Sequence, residues 1–208
     1  MRKIFSLFLL VVGLVSACAS PKLPTPFAMP NLVKANEEAL LAWNACAMGP
    51  NYWPGKAGCD VELLKQKNEK AQAAAYEFIR GDPAQPQGFD IYLEQVLISF
   101  RIKHEHLTGN DFIEKERIAE QFFETQQATS GRSLINASYL FTLIAAEGAS
   151  YQFYNDRSAL TIERRATLLK AINAGAGAFN LVTPERNRRL RDALQVLEFI
   201  VQYINSTL

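Results

Sequence analysis

The feature of this sequence that most restricts its fold is a helical spacing of apolar residues that runs from Asn31 almost to the C-terminus. Apolar side chains recur every three or four residues over seven segments, and glycine, proline and capping residues mark the ends of those segments. No stretch alternates apolar and polar residues for long enough to predict a strand. The pattern therefore predicts an all-α domain of about seven helices in antiparallel hairpins, arranged as a bundle or as a short α-solenoid.

The predicted helices differ in how clearly their ends are marked. The seventh has the clearest start, because Thr183 can cap it, Pro184 suits the first helical position and Glu185 complements the helix dipole. The fifth is apolar on nearly all sides, which predicts the buried centre of the domain. The predicted ranges are 31–48, 60 to about 81, 90–107, 110–129, 133–153, 158–174, and from 184 toward the C-terminus.

The predicted helix starts from 90 to 184 follow one another at intervals of about 21–26 residues, which is typical of stacked helix pairs. Ala74, Phe78 and Pro86 have the relative spacing found in the second half of a tetratricopeptide repeat. The Trp, Leu-Gly and Tyr of the first half of that repeat are missing upstream. The domain therefore resembles tetratricopeptide-like solenoids in architecture only.

The first eighteen residues have the regions of a secretory signal: a cationic start, an apolar run over 4–15, and small residues before Cys18. The apolar run has about 12 residues, fewer than the 20 or so that span a bilayer. The ending Leu-Val-Ser-Ala-Cys resembles a lipobox, the motif of bacterial lipoproteins. That resemblance implies removal of residues 1–17 and a lipid on the sulfur of Cys18. An ordinary cleaved signal with a chance cysteine is the alternative.

Residues 18–30 follow as a predicted tether with prolines at 21, 24, 26 and 30. At about 3.1 Å per residue, its dozen residues would extend about 35–40 Å from the bilayer. Ala19 comes directly after Cys18, where an Asp retains enterobacterial lipoproteins at the inner membrane. By that resemblance we expect an outer-membrane protein that faces the periplasm, with a helical domain over 31–208.

Two cysteines remain in the predicted mature chain, Cys46 and Cys59. An even pair in an exported protein predicts one disulfide, and it would close the loop between the first two helices. In the chain-entropy picture such a loop stabilises the fold by about 3 kcal/mol. A redox or metal pair is the alternative, but the spacing is not Cys-x-x-Cys and no further ligand is near.

Charge restricts the partners of the mature chain. Loss of Arg2 and Lys3 with the signal lowers the number of basic residues from 22 to 20, against 21 acidic residues. Nucleic-acid binding needs a dense basic field, so no nucleic-acid partner is predicted. Membrane attachment would depend on the acyl chains of Cys18 rather than on charge.

Two groups of residues are candidates for contacting a partner. Tyr52 and Trp53 lie inside the predicted disulfide loop, where exposed aromatic side chains make good binding anchors. They can equally fold back over the hairpin as a lid. Arg186 and Arg189 belong to a cluster of four arginines near the start of the seventh helix, which is completed by Arg188 and Arg191. The cluster is either a site for an anion or acidic partner or a solvated face paired with nearby acids.

Glu147 is the one candidate for catalysis. It follows the apolar run 143–146, and a carboxyl group in apolar surroundings suits a general acid. In this respect the chain is similar to lytic transglycosylases, which cleave peptidoglycan with one Glu. Those enzymes have Ser after the Glu, whereas here Gly148 follows. A structural Glu paired with an arginine such as Arg132 or Arg157, or one that is simply exposed, is the alternative.

His104 and His106 form the only histidine pair, but two residues of separation place them on different sides of a helix. No metal site and no cofactor is therefore predicted. The leading functional hypothesis is a non-catalytic, envelope-anchored lipoprotein that holds another envelope protein as a scaffold or assembly factor. A periplasmic module for a small solute or lipid and a peptidoglycan-cleaving enzyme using Glu147 are the alternatives.

Overall fold

A computed structural model of the protein describes residues 29–129 and 131–207, without the side chain of Glu105. The predicted signal peptide, Cys18 and most of the predicted tether lie outside the described residues. The described part is all-α apart from one small hairpin, which confirms the predicted fold class. The elements are α1 (Met29–Cys46), β1 (Ala47–Met48), β2 (Asn51–Tyr52), α2 (Val61–Gly81), α3 (Pro86–Ile102), α4 (Gly109–Gln127), α5 (Arg132–Asn155), α6 (Ile162–Ala178) and α7 (Pro184–Thr207).

The odd-numbered helices α1, α3, α5 and α7 form one layer and run parallel to one another. Gln95 of α3 donates to Asn36 of α1, and seven residues further along α1 the ring of Trp43 lies under the guanidinium of Arg101. The α3–α5 and α5–α7 pairs extend this layer. Each odd-numbered helix thus packs on the next one.

The even-numbered helices α2, α4 and α6 form the second layer. Lys170 of α6 bonds to Glu120 of α4 at 2.7 Å, and Tyr76 of α2 packs on Phe122 of α4 with ring centroids 5.3 Å apart. The pair Phe100 and Phe112 joins α3 to α4, with centroids 4.2 Å apart. Each helix therefore packs on the next and on the next but one, which is the order of a solenoid of helical hairpins.

The fifth helix is the buried centre, as predicted. Tyr139, Leu140, Phe141 and Ile144 of α5 have no exposed surface. α5 also packs against α3, α4, α6 and α7. The free energy that this burial contributes is about 1.5–3 kcal/mol for each large apolar side chain.

Several helix boundaries differ from the predicted ones, including the end of α3 at Ile102 and the start of α6 at Ile162, and two further differences have identifiable reasons. The loop predicted over 81–88 ends early, because α3 begins at Pro86, whose fixed φ and missing N–H suit the first turn of a helix. α6 does not stop near Gly175 but continues to Ala178. A Cβ atom at Gly175 would lie 2.8 Å from the side chain of Thr142, so the glycine permits close packing on α5 rather than ending α6.

The hairpin β1–β2 lies inside a loop closed by a disulfide. Cys46 and Cys59 are bonded, with an S–S distance of 2.03 Å and a Cα–Cα distance of 4.5 Å, which confirms the predicted pair. The strands pair antiparallel around a turn at Gly49, whose φ of 62° is a conformation that glycine adopts without strain. Lys56 donates to the carbonyl of Ala47 at 2.6 Å and ties the loop to the end of α1.

The first helix begins two residues before its predicted start at Asn31. α1 begins at Met29, so the last two residues of the predicted tether are helical. Pro30 lies in the first turn, where backbone N–H groups have no partner within the helix, so its missing N–H costs no hydrogen bond. Among residues 29–129 and 131–207, none of the helices combines the length and the hydropathy that a membrane span requires.

Candidate functional site: a groove along the odd-numbered helices

An open groove of about 830 Å³ runs along the layer of odd-numbered helices. α5 forms its floor with Leu143, Ala146 and Glu147, while Leu97 of α3 and Val196 of α7 lie on the two walls. Small residues on α5 and the separation of α3 from α7 leave this concave space. Every residue that lines the groove belongs to an odd-numbered helix or caps one, so the groove follows from the two-layer order of the fold.

One end of the groove is closed by an ion pair between its walls, in which Arg186 is buried and Asp90 is partly exposed. The Arg186 side chain donates from Nε to Asp90 Oδ1 and from Nη1 to Asn136 Oδ1, both at 2.9 Å. Its guanidinium also lies 4.1 Å from the ring centroid of Tyr139. Burial raises the pKa of Asp90, and Arg186 opposes that rise. The ion pair holds the N-terminal ends of α3 and α7 together over α5.

Of the two arginines that the sequence grouped as partner-binding residues, the structure buries one and leaves the other exposed, although both line the groove. Arg186 is only 7% exposed and lies in the wall of the groove rather than on an open helix face. Its aliphatic stem and stacked guanidinium explain this burial, because arginine can pack against an aromatic face while its charge is paired. Arg189 is exposed and lies 3.5 Å from Glu185 on its own helix, as expected for a solvated helix face.

Glu147 lies in the middle of the groove. Glu147 is exposed to the groove, which was one of the predicted alternatives, and partial desolvation by the groove walls raises its pKa while the nearby Arg101 lowers it. In the described part of the chain, no cation lies within ion-pair distance of it, so the predicted alternatives Arg132 and Arg157 are not its partners. Glu147 is therefore a carboxylate that faces the groove without a matching charge.

Gly148, the next residue, faces the opposite layer and lies against a buried ion pair. Arg164 of α6 reaches Glu116 of α4 with both terminal nitrogens, and the Nη2–Oε2 distance is 2.7 Å. Arg164 Nε also donates to Gln152 at 2.8 Å. The ion pair fastens α4, α5 and α6 behind the groove floor.

The other end of the groove is aromatic. A second cavity of about 260 Å³ continues the groove past Glu147 and is lined by Phe100, Tyr151 and Tyr154. The side chain of Tyr154 is 79% exposed. Nearby Phe199 of α7 is 55% exposed, and both aromatic rings pack edge-on against Phe153.

Tyr154 is a candidate binding residue that was not among those predicted from the sequence. The signal was present, because residues 139, 143, 147, 150 and 154 recur at the three- and four-residue spacing of one helix face. Because α5 is apolar on nearly all sides, the sequence pattern does not distinguish the face that lines the groove from the faces that are buried.

The disulfide loop lies at the end of the odd layer that holds the C-termini of its helices, away from Arg189. Tyr52 is half-buried and stacks on Trp43 with ring centroids 6.2 Å apart. Of the two predicted roles, binding anchor and lid over the hairpin, Tyr52 therefore has the second. Trp53 is 55% exposed and remains available to a partner. The structure does not bring Trp53 and Arg189 together into one site.

The histidines form a short 3₁₀ turn after α3, over His104–His106. Within the described residues, no group of three or more His, Cys, Asp or Glu side chains is placed to bind a metal ion. No family model, curated protein or solved structure matches the chain.

Proposed function

We propose that the protein is an envelope-anchored lipoprotein that holds a segment of another envelope protein in the groove of its odd-numbered helices. The observation that carries this proposal is the open groove itself. From Tyr139 to Tyr154 its floor spans 15 residues of α5, or about 22 Å at 1.5 Å per residue. That length fits a short segment of a partner rather than a single small molecule.

The lining of the groove also favours a protein partner. Apolar positions such as Leu97 and Val196 alternate with charged ones such as Glu94, Arg101 and Asp192. A small solute or lipid is usually held in an enclosed, mainly apolar cavity, whereas protein interfaces combine an apolar centre with a polar rim. The exposed Tyr154 at one end adds an aromatic anchor of the type that dominates binding energy.

The proposed lipid anchor would place this groove beside a bilayer. α1 begins at Met29, eleven residues after Cys18, and the odd-numbered helices run parallel from that end. The Arg186 end of the groove is thus nearer the proposed anchor, and the aromatic end lies further from it. An outer-membrane lipoprotein arranged in this way would present the groove to proteins in the periplasm.

Photocrosslinking in cells tests the proposal. A photoreactive amino acid replaces Leu97 or Val196 on the groove walls of the full-length protein, and the matched control places it at Ile113, an exposed residue of α4 in the other layer. We expect both groove positions to capture the same segment of one protein, mapped by mass spectrometry, and Ile113 not to capture it. Equal capture from Ile113, or no protein adduct from the groove, would contradict the scaffold function.

The position of Glu147 favours a second candidate, cleavage of a glycan strand. A carboxyl group with a raised pKa in an open groove has the character of a general acid. The test is release of soluble fragments from purified peptidoglycan by the wild-type protein and by Glu147→Gln. Fragment release that the variant loses would establish this activity, and no release by the wild-type protein would eliminate it.

A further inference from the structure

We propose that the occupant of the groove is a basic amphipathic helix that lies antiparallel to α5, with a cationic side chain at Glu147 and its C-terminal carboxylate at Arg186. This inference rests on the proposed function and specifies the chemistry of the partner.

The first observation is the charge of the groove centre. Glu94, Glu147 and Asp192 line the groove, and none of them has an ion-pair partner among the described residues. Arg186 and Arg189 are already paired with Asp90 and Glu185. The remaining groove arginine is Arg101, so unpaired acids outnumber unpaired bases. A segment with Lys or Arg between apolar residues complements this lining.

The second observation is independent and concerns the closed end. The Nη2 atom of Arg186 and the hydroxyl of Tyr139 are buried and have no hydrogen-bond partner in the described part of the chain. Both residues line the groove. Buried donors are normally satisfied, so these two groups, on a guanidinium and on the aromatic ring that it stacks on, indicate a missing acceptor. A carboxylate can accept from both at once.

The cover over these two donors is a side chain that can move. Arg189 lies beside the Tyr139 hydroxyl, whose pKa it lowers against the effect of burial, and its one ion pair is the exposed contact of 3.5 Å with Glu185. Rotation of Arg189 toward solvent opens the donors to the groove. A bound carboxylate would in turn attract the Arg189 guanidinium.

The direction of the occupant follows from the helix dipoles. α3, α5 and α7 run parallel, so their positive N-terminal ends lie toward the Arg186 end of the groove and their negative C-terminal ends toward its aromatic end. A partner helix with the opposite direction places its own negative end, with its unpaired carbonyls, against Arg186. A helix is also preferred over a strand, because the walls are helices whose backbone groups are already paired and offer no edge for strand addition.

Binding of synthetic peptides to the purified full-length protein tests the inference. The probe is an amphipathic peptide of about 15 residues with Lys on its polar face and a free C-terminus, compared with a Glu-for-Lys version, a scrambled version and a C-terminal amide. Fluorescence anisotropy should show the basic peptide binding at least about tenfold more tightly than the acidic and scrambled ones. Tighter binding of the acidic peptide, or no binding of the basic peptide at about 100 µM, would overturn the inference.

Two variants assign the contacts. Glu147→Gln should lower the affinity for the basic peptide about tenfold. Glu124→Gln, on the other layer, should leave that affinity unchanged. Tyr139→Phe removes only the hydroxyl and should abolish the preference for the free-acid peptide over the amide. If the protein recognised only the lysine side chains of the peptide, this variant would not change that preference. Equal affinity of the wild-type protein for acid and amide would refute the proposed direction of the helix.

The result also separates this inference from the function on which it rests. Capture of one partner segment from Leu97 and Val196 in cells, with no charge preference among the peptides, would refute the basic helix and keep the scaffold. Absence of any captured protein would refute the scaffold function itself.

Discussion

Removal of one partner from the buried ion pair between Glu116 and Arg164 should be one of the most destabilising single changes in this fold. The side chains are 4% and 11% exposed, and Arg164 binds the carboxylate with both terminal nitrogens while its Nε donates to Gln152. The pair joins α4 to α6 across α5, so its loss affects three helices. Replacing one partner leaves the other charge buried without compensation.

The expected magnitudes follow from that burial. Glu116→Gln and Arg164→Met should each lower the free energy of unfolding by about 3–5 kcal/mol, because an unpaired buried charge keeps its desolvation cost. The double variant Glu116→Leu/Arg164→Met should cost much less than the sum of the single changes, since two apolar groups of similar size leave no buried charge. The matched control is Glu124→Gln, which removes an exposed partner of Lys170 and should cost less than about 1 kcal/mol.

Urea unfolding followed by circular dichroism at pH 7 measures these differences, with the disulfide kept oxidised. The midpoints should shift strongly in both single variants and far less in the double variant. If the losses from the single variants simply add in the double variant, the two side chains do not act as a pair, and the assignment of their stabilising role is wrong. Losses no larger than that of Glu124→Gln would show that solvent reaches the pair.

Four other outcomes are expected. Gly175→Ala should lower the free energy of unfolding by about 1–3 kcal/mol, because an added methyl group overpacks the contact with α5, whereas Gly177→Ala fills open space and should not destabilise the protein; urea titration compares them. Replacing both disulfide cysteines by serine should cost about 3 kcal/mol, and adding reductant to the wild-type protein should reproduce that loss. Glu147→Gln should raise the melting temperature at pH 7, because the raised pKa means that the charged carboxyl is disfavoured in the folded state; the difference should disappear below about pH 4, where the carboxyl is protonated in both states. Cys18→Ser should move the protein from the membrane to the soluble fraction, and unchanged fractionation would exclude the lipid anchor.

The elements of this fold could be predicted from sequence because their signals are local. Thr183, Pro184 and Glu185 mark a helix start within three residues, and α7 begins where they predict. The apolar surface of α5 predicted its central position for a similar reason, since a helix without a polar face has to be covered on all sides. The disulfide could be predicted because the mature chain has two cysteines and an exported protein is in an oxidising compartment.

Contacts between helices that are distant in sequence determine the features that local sequence signals did not predict. Gly175 reads as a helix end in isolation, but Thr142 and Leu194 need the space that its missing side chain leaves. Arg186 reads as one of four surface cations, yet Asp90, ninety-six residues earlier, and the ring of Tyr139 provide a buried site for its charge. Neither partner can be identified without knowing that α3 and α7 are neighbours across α5.

The adjacent residues Glu147 and Gly148 show how two layers of the fold constrain a candidate catalytic sequence. Glu147 faces the groove, whereas a Cβ atom at position 148 would lie 3.2 Å from Phe112 and 3.3 Å from the Glu116 carboxylate. A serine at 148, as in the lytic transglycosylases, would therefore crowd the ion pair with Arg164. The glycine has a packing cause of its own, so the chemistry of this groove depends on Glu147 and its surroundings and not on a two-residue motif. A carboxylate without an ion-pair partner is at least as well suited to receiving a cationic side chain as to donating a proton, and the peptide affinities of Glu147→Gln distinguish these two roles.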